Sequence, residues 1–221
     1  VRIGYGLGIG YLNAEAKLKD DFRAVDGGLA DFKQTKKVVQ LAPSLEVGLA
    51  CFDNYYLGIL ANWNYIGAKT TSRASLVGNY YLTHQFKMKF SVNVLSKIGY
   101  KLSPCTMIYG LIGPSFLKWS HKTDQFYRPR FMNNLVDTFN ISNTSSGLSL
   151  GLGIEYFMFD HVALNVDYSH NYYKSKSLSK TMSVIVYQRF PLPNTTQSGI
   201  VSKQVKPSYD SIMIRLLLFS S

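Results

Sequence analysis

Long apolar runs are missing from this chain, and that absence narrows its class the most. A helix that crosses a bilayer needs about 20 consecutive apolar residues. The most apolar run here, Ile212 to Phe219, is short and has Arg215 in its middle. A helical membrane protein is thereby excluded. Cysteine is also scarce: Cys51 and Cys105 are too few for a disulfide scaffold and have no metal-ligand spacing. They fall near one end of the pattern described below, on strands that are not neighbours, so we do not expect them to pair. The four histidines, His84, His121, His161 and His170, show no metal spacing either. No metal or other cofactor is expected. The chain opens at Val1 without an initiator Met or a leader. We read it as a processed product, so the missing leader does not argue for the cytoplasm.

Aromatic residues and glycine, by contrast, are plentiful: 16 Tyr, 13 Phe and 17 Gly in 221 residues. They are arranged with a period of two. Ile3, Tyr5, Leu7, Ile9 and Tyr11 alternate with Gly4, Gly6, Gly8 and Gly10. Successive residues of a strand point to opposite faces, so one face is apolar and the other has no side chains. Glycine suits the inside of a narrow cylinder, where there is no room. The alternation returns in Val39–Cys51, Tyr55–Tyr65, Phe86–Lys101, Gly147–Tyr156, Val162–Ser169 and Ile212–Leu218. Within Phe86–Lys101 it predicts Phe86, Met88, Phe90, Val92 and Val94 outside, opposed by Lys87, Lys89, Ser91 and Asn93. Thr106–Lys118 reads in either phase, and we place Ile108, Ile112 and Phe116 outside with Tyr109, Gly113 and Ser115 inside.

Eight segments result, each of roughly the length a tilted strand needs to cross a bilayer. Phe52-Asp53-Asn54, Ser103-Pro104-Cys105 and Phe159-Asp160-His161 read as tight turns. Leu18–Lys37, Lys69–Gln85, Trp119–Ser146 and Lys174–Ser208 read as long polar loops. Short and long connections alternate strictly, so all the short turns share one end. The expectation is an all-β fold: a closed antiparallel transmembrane β-barrel of about eight strands, one domain over residues 1–221. Its short turns and both termini would be periplasmic and its long loops extracellular. Ser75–Leu82 and Met182–Phe190 have strand character and are read as hairpin extensions above the membrane; a ten-stranded barrel is the alternative. A soluble up-and-down barrel fits less well, because the non-apolar face of Gly, Ser, Ala and Asn is a poor water-facing surface. Tyr5, Tyr11, Tyr55, Trp63, Tyr65, Phe86, Tyr100, Phe116, Tyr156 and Tyr172 lie towards the strand ends on the outer face, as in aromatic girdles at the two membrane interfaces.

The net charge is +11. The long connections and the residues bordering them hold all of this excess, while acids and bases balance elsewhere. Counted up from the tight turns, Glu46, Lys97, Glu155, Asp167 and Arg215 reach similar heights on the inner face. We expect a salt-bridge network there that plugs the lumen, since unpaired buried charge is expensive. Lys33, Lys36, Lys37, Lys122, Arg128, Arg130, Lys174, Lys176, Lys180 and Arg189 are the candidate binding residues of the basic loops. Their expected partners are outer-membrane lipid, above all lipopolysaccharide phosphates, and acidic host-surface molecules. Nucleic acid is a poor fit, because these charges are scattered over separate loops without a recognition fold.

Catalytic patterns are weak. Ser169 and His170 in Tyr168-Ser169-His170-Asn171 are sequence neighbours on a strand and point apart, beyond the hydrogen-bond reach that a nucleophile and its base need. The Gly-x-Gly repeats lack the strand-to-helix context of a phosphate cradle. No enzyme is expected.

Ile3-Gly4-Tyr5-Gly6-Leu7-Gly8, Ile108-Tyr109-Gly110-Leu111-Ile112-Gly113, Leu150-Gly151-Leu152-Gly153-Ile154-Glu155-Tyr156, Leu164-Asn165-Val166-Asp167-Tyr168 and Tyr209-Asp210-Ser211-Ile212-Met213-Ile214 give the chain its family likeness. It resembles the OmpA/OmpX-type outer-membrane proteins, the surface-antigen and opacity-like barrels of Gram-negative bacteria. It departs from their pattern where Ser220 and Ser221 follow Phe219 and where Arg215 stands in place of a common Gly. The resemblance implies a surface role in adhesion or resistance to host defences. A non-enzymatic, monomeric surface barrel with basic loops that bind anionic partners is therefore the leading expectation. A narrow ion or small-solute channel is the alternative, and a lipid-modifying barrel enzyme comes after it.

Overall fold

The computed structural model describes residues 1–21, 29–51, 54–75, 80–127, 134–186 and 195–220. These form ten antiparallel strand segments: β1 (Arg2–Asp21), β2 (Leu29–Cys51), β3 (Tyr55–Tyr65), β4 (Lys69–Ser75), β5 (Tyr80–Ser103), β6 (Thr106–Tyr127), β7 (Asn134–Phe159), β8 (Val162–Tyr173), β9 (Lys176–Val186) and β10 (Thr195–Ser220). Eight of them close a ring in the order β1-β2-β3-β5-β6-β7-β8-β10, and β10 pairs back to β1 from Ser220↔Ile3 to Ser202↔Asp21. The other two prolong ring strands instead of widening the ring. β4 pairs with β5 beyond the end of β3, and β9 pairs with β10 beyond the end of β8. Ten segments thus build an eight-stranded barrel.

Both interruptions have local causes. Between β3 and β4, Gly67 adopts φ 60°, a left-handed conformation that costs glycine little. Opposite it, β5 bulges between Met88 and Phe90. The gap between β8 and β9 faces Pro207 of β10, which has no N–H to give a ladder. Two seams follow. Among the described residues, no backbone ladder joins β2 to β4 beyond Leu41↔Tyr65, or β7 to β9 beyond Gly147↔Tyr173.

Tight turns at Pro104–Cys105 and Asp160–His161 lie at one end of the barrel; residues 52–53, at the first expected turn, are outside the described residues. Cys105 is an exposed free thiol on its turn. The four long connections do not form loops over most of their length. They are strand, and the reason lies in how the burial pattern changes along each strand.

Near the turn end the outward residues are apolar. Leu7 is 61 % exposed and Leu152 70 %, and Ile9, Ile59, Val94, Ile112 and Ile214 are exposed too. Only a surrounding hydrocarbon phase suits a continuous belt of this kind. Inside this band there is little space. A Cβ on Gly6 would lie 2.3 Å from Leu217 Cδ2, and one on Gly8 2.7 Å from Arg215 Cγ. Beyond Tyr11 the pattern inverts with no break in β1. Leu12, Ala14, Ala16 and Leu18 turn inward and are buried, while Lys17 and Lys19 are exposed. On β6 and β10, Leu117, Trp119, Val205 and Tyr209 join the same apolar cluster. The sheet therefore has an apolar outside below and an apolar inside above. The upper part, here called the head, buries a core as a soluble barrel does.

Strand β5 corrects one expectation. Phe86 and Met88 are inside, 2 % and 1 % exposed, and Lys87 is exposed. The bulge between Met88 and Phe90 adds a residue and swaps the faces, so Phe86 belongs to the head core and not to a girdle. The other aromatics placed outside from the sequence do face outward. Tyr55 packs edge-on against Tyr100 at one interface, and Trp63 lies 5.4 Å from Phe90 at the other, centroid to centroid. On β6 the even residues Ile108, Ile112 and Phe116 face out.

Candidate functional site

Three features carry unusual chemistry, and the first is in the lumen. The structure brings together all five charged residues expected there, each buried. Lys97 of β5 lies between two carboxylates. Its Nζ donates to Glu46 Oε1 at 2.8 Å and Oε2 at 3.0 Å, and also to Glu155. Across the lumen, Arg215 engages Asp167 in a fork, Nη1 to Oδ2 at 2.9 Å and Nη2 to Oδ1 at 3.1 Å. Tyr56 donates to Glu46 at 2.7 Å, and Lys97 Nζ sits 4.4 Å from the centre of the Tyr109 ring. Glycine makes this layer possible. A Cβ on Gly48 would be 1.9 Å from Tyr56 Oη, and one on Gly153 2.3 Å from Tyr109 Cζ. Tyr56 and Tyr109 thus each lie over a bare neighbouring backbone.

Above the ion pairs is a hydroxyl and amide layer. Ser91 meets the Tyr209 hydroxyl at 2.7 Å, and Ser115 meets the Tyr173 hydroxyl at 2.6 Å. The apolar cluster fills the lumen side of the head next. Trp119 is fully buried beside Phe86, and its Nε1 donates to Ser145 at 2.9 Å. Above it the rings of His84 and His121 stack at 5.7 Å. Both rings are held neutral, with pKa values lowered to about 3, first by burial and then by the charge of Lys203. Lys203 itself donates to Thr123 at 2.7 Å. Ser169 points inward to Ser211 and His170 points outward, so the two do not meet. No group of three or more His, Cys, Asp or Glu suited to a metal occurs among the described residues.

The second feature is the outer surface of the head. Lys33, Lys36 and Lys37 are exposed on β2. Lys33 pairs in register with Lys17 of β1, and Lys17 pairs in turn with Lys206 of β10. Three exposed lysines from distant parts of the sequence therefore form one row. Glu15 bridges Lys33 at 2.9 Å and Lys17 at 3.6 Å. Lys174 continues the row at the β7/β9 seam beside Lys206, and Lys176 begins β9. Lys122 is apart from this row, paired with Asp124 at 2.8 Å on β6. Arg128, Arg130 and Arg189 are outside the described residues, as is the side chain of Lys180. Lys17 and Lys206 were not singled out from the sequence. Only strand register reveals them.

The third feature faces the membrane interface. Asp210 of β10 accepts from the Tyr168 hydroxyl at 2.7 Å and from His170 Nδ1. His170 in turn lies against Tyr172, 3.9 Å between ring centres.

The chain is similar to solved structures of outer-membrane proteins. The outer membrane protease OmpT from Escherichia coli aligns over 99% of this chain and 97% of its own, with 10% identity and a TM-score of 0.55. OprG from Pseudomonas aeruginosa aligns over 99% and 95%, with 13% identity and a TM-score of 0.52. Ail of Yersinia pestis covers 95% and 97% at 13% identity, with a TM-score of 0.34. For OmpT and OprG, at these identities, the likeness is one of fold. No curated protein matches the chain. A family model for the outer membrane protein β-barrel domain matches residues 1–194, and with the inverted belt and the closed eight-stranded ring it establishes that the chain belongs to that family of Gram-negative outer-membrane barrels.

Proposed function

We propose that this protein is a monomeric, non-enzymatic surface barrel whose basic head binds anionic partners, either lipopolysaccharide or an acidic host-surface polymer. The head faces outward from the cell, and the turns and termini face the periplasm. The row formed by Lys33, Lys17 and Lys206 supports this reading most strongly. Like charges set side by side repel across a sheet, and Glu15 offsets only part of that repulsion. An anion seated on the row would relieve it. The apolar cluster of Trp119, Phe86, Leu12 and Leu117 favours a closed lumen over a channel. On this reading Glu46, Lys97, Glu155, Asp167 and Arg215 brace the wall from within and take no part in chemistry.

Retention on immobilised heparin tests the proposal. Folded protein in detergent should elute late and at a salt-dependent position, because exposed charge contacts are screened. The triple variant Lys17→Gln, Lys33→Gln, Lys206→Gln should elute at clearly lower salt. Elution of both at the same salt would sink the proposal.

A further inference from the structure

One face of the barrel, formed by β5, β6, β7, β8 and β10, carries three stations arranged in the order of an amphiphile's parts. Lowest, within the lipid-facing belt, is a groove of about 850 Å³ lined by Ile98, Gly110, Leu152, Ile154, Val166 and Tyr168. Gly110 is its floor. This glycine points outward, and a Cβ placed on it would meet nothing within 4 Å, so the wall is hollow where its neighbours are large. At the top of the groove, Tyr168 leads into the Asp210–His170–Tyr172 cluster, a polar station at the edge of an apolar belt. Above that is a notch of about 860 Å³ at the β7/β9 seam, lined by Ser146, Tyr172, Lys174, Ser175 and Lys206. Tyr168, His170 and Tyr172 are successive outward residues of β8 and link all three.

We infer that this face binds one molecule of lipopolysaccharide through its lipid A part. An acyl chain fills the Gly110 groove, sugar hydroxyls meet Asp210 and His170, and a phosphate sits between Lys174 and Lys206. The assignment rests on the orientation and the anion-binding role proposed above. The arrangement explains the break in the wall. If β8 ran on as ladder past Tyr173, it would close the β7/β9 seam where both lysines flank the notch. The β2/β4 seam is different: Gln34 spans it to Thr70 and Ser72, and it holds almost no space, about 10 Å³. Phosphate matches two ammonium groups, and an acyl chain suits a trough whose lining is apolar.

Native mass spectrometry of the detergent-folded protein, titrated with bisphosphorylated lipid A, provides the test. Wild type should retain a one-to-one adduct. Gly110→Trp fills the groove without a backbone clash and should weaken retention by about tenfold or more. Lys174→Gln with Lys206→Gln should do the same, and lipid A stripped of phosphate should bind wild type as weakly as that variant. Ala61→Trp, also in the outward belt but on β3, should change nothing. Equal retention by Gly110→Trp and wild type would overturn the inference, as would equal retention of phosphatidylglycerol in place of lipid A. Heparin retention separates the two claims. If Gly110→Trp still elutes late from heparin while wild type holds no lipid A, the head binds anions and this lipid site is wrong. If wild type fails on heparin but keeps lipid A, the anionic-polymer reading fails and the lipid site stands.

Discussion

The membrane band and the head are built from the same strands yet solve opposite problems. In the band, Leu7 and Ile9 face outward and glycines face in. Eight residues further along β1, Lys17 faces outward and Leu18 is buried. The strand keeps an unbroken register between them; only the chemistry of each face changes. In hydrocarbon the polar groups must be kept from the lipid, so the band holds its ions in the lumen, Lys97 with Glu46 and Glu155 and Arg215 with Asp167. In water the apolar groups must be inside, so the head keeps Trp119, Phe86 and Leu12 there and puts Lys17, Lys33 and Lys206 outside. Sheet geometry is indifferent to this inversion. The surrounding solvent fixes the residues.

The comparison breaks most sharply in the band's ion pairs. Lys97→Met leaves Glu46 and Glu155 buried without their shared cation, and removing one partner of a buried pair costs about 3–5 kcal/mol. The folded, fast-migrating form on unheated gels should largely disappear. Trp119→Ala empties the centre of the head core, and a buried aromatic truncated to alanine costs about 3 kcal/mol or more. This loss should stay above the membrane: protease should cut the head faster, while the gel shift that reports the band persists. If both signals fail together, the head and the band form one cooperative unit and the contrast drawn here is too strong.

A lysine exchange sharpens the contrast further. Leu7→Lys puts a charge into the lipid-facing belt, at about 2–4 kcal/mol for a position near the midplane. Lys17→Leu makes the reverse change in the head and should cost no more than about 0.5 kcal/mol, as surface substitutions do. Urea unfolding of both variants in lipid vesicles would compare them directly. Equal losses would mean that Lys17 is not a water-facing site.

Much of this plan was legible in the residues. Glycine against tyrosine on β1 revealed the barrel wall, and heights counted from the tight turns placed Glu46, Lys97, Glu155, Asp167 and Arg215 in one layer. The head was harder to read. Leu12, Ala14, Ala16 and Leu18 keep a period of two, but in the opposite phase, and charged residues between them look like the start of a loop. The double reading of Thr106–Lys118 came from the same inversion: Phe116 faces lipid and Leu117 faces the core. Nothing in Phe86-Lys87-Met88-Lys89-Phe90 marks the bulge, because the extra residue lets apolar residues keep one apparent phase while the strand changes face. The lysine row was not legible at all. Lys33, Lys17 and Lys206 come together only through ladder register, which depends on the closure of the whole ring.

A pH effect in the head alone comes from the stacked pair His84 and His121. Both are buried, face Lys203 and Thr123, and have pKa values lowered to about 3. In the unfolded chain a histidine takes up its proton near pH 6.5. Between about 6.5 and 3, therefore, the unfolded head binds more protons than the folded one, and stability falls as the pH falls. The contribution is fully present above 6.5, has shrunk by about 1–2 kcal/mol at pH 6 for the two rings together, and keeps shrinking until about pH 3. Below that both states are protonated and this slope ends. Proteolysis of the head followed from pH 7.5 to 5 should accelerate in wild type, while the band's gel shift stays constant. His84→Phe with His121→Phe keeps the stacked rings but has nothing to protonate, so its head should be cut at a rate that does not change with pH over this range. A double variant that keeps the wild-type slope would place the acid sensitivity elsewhere in the head and remove the histidine pair from its account.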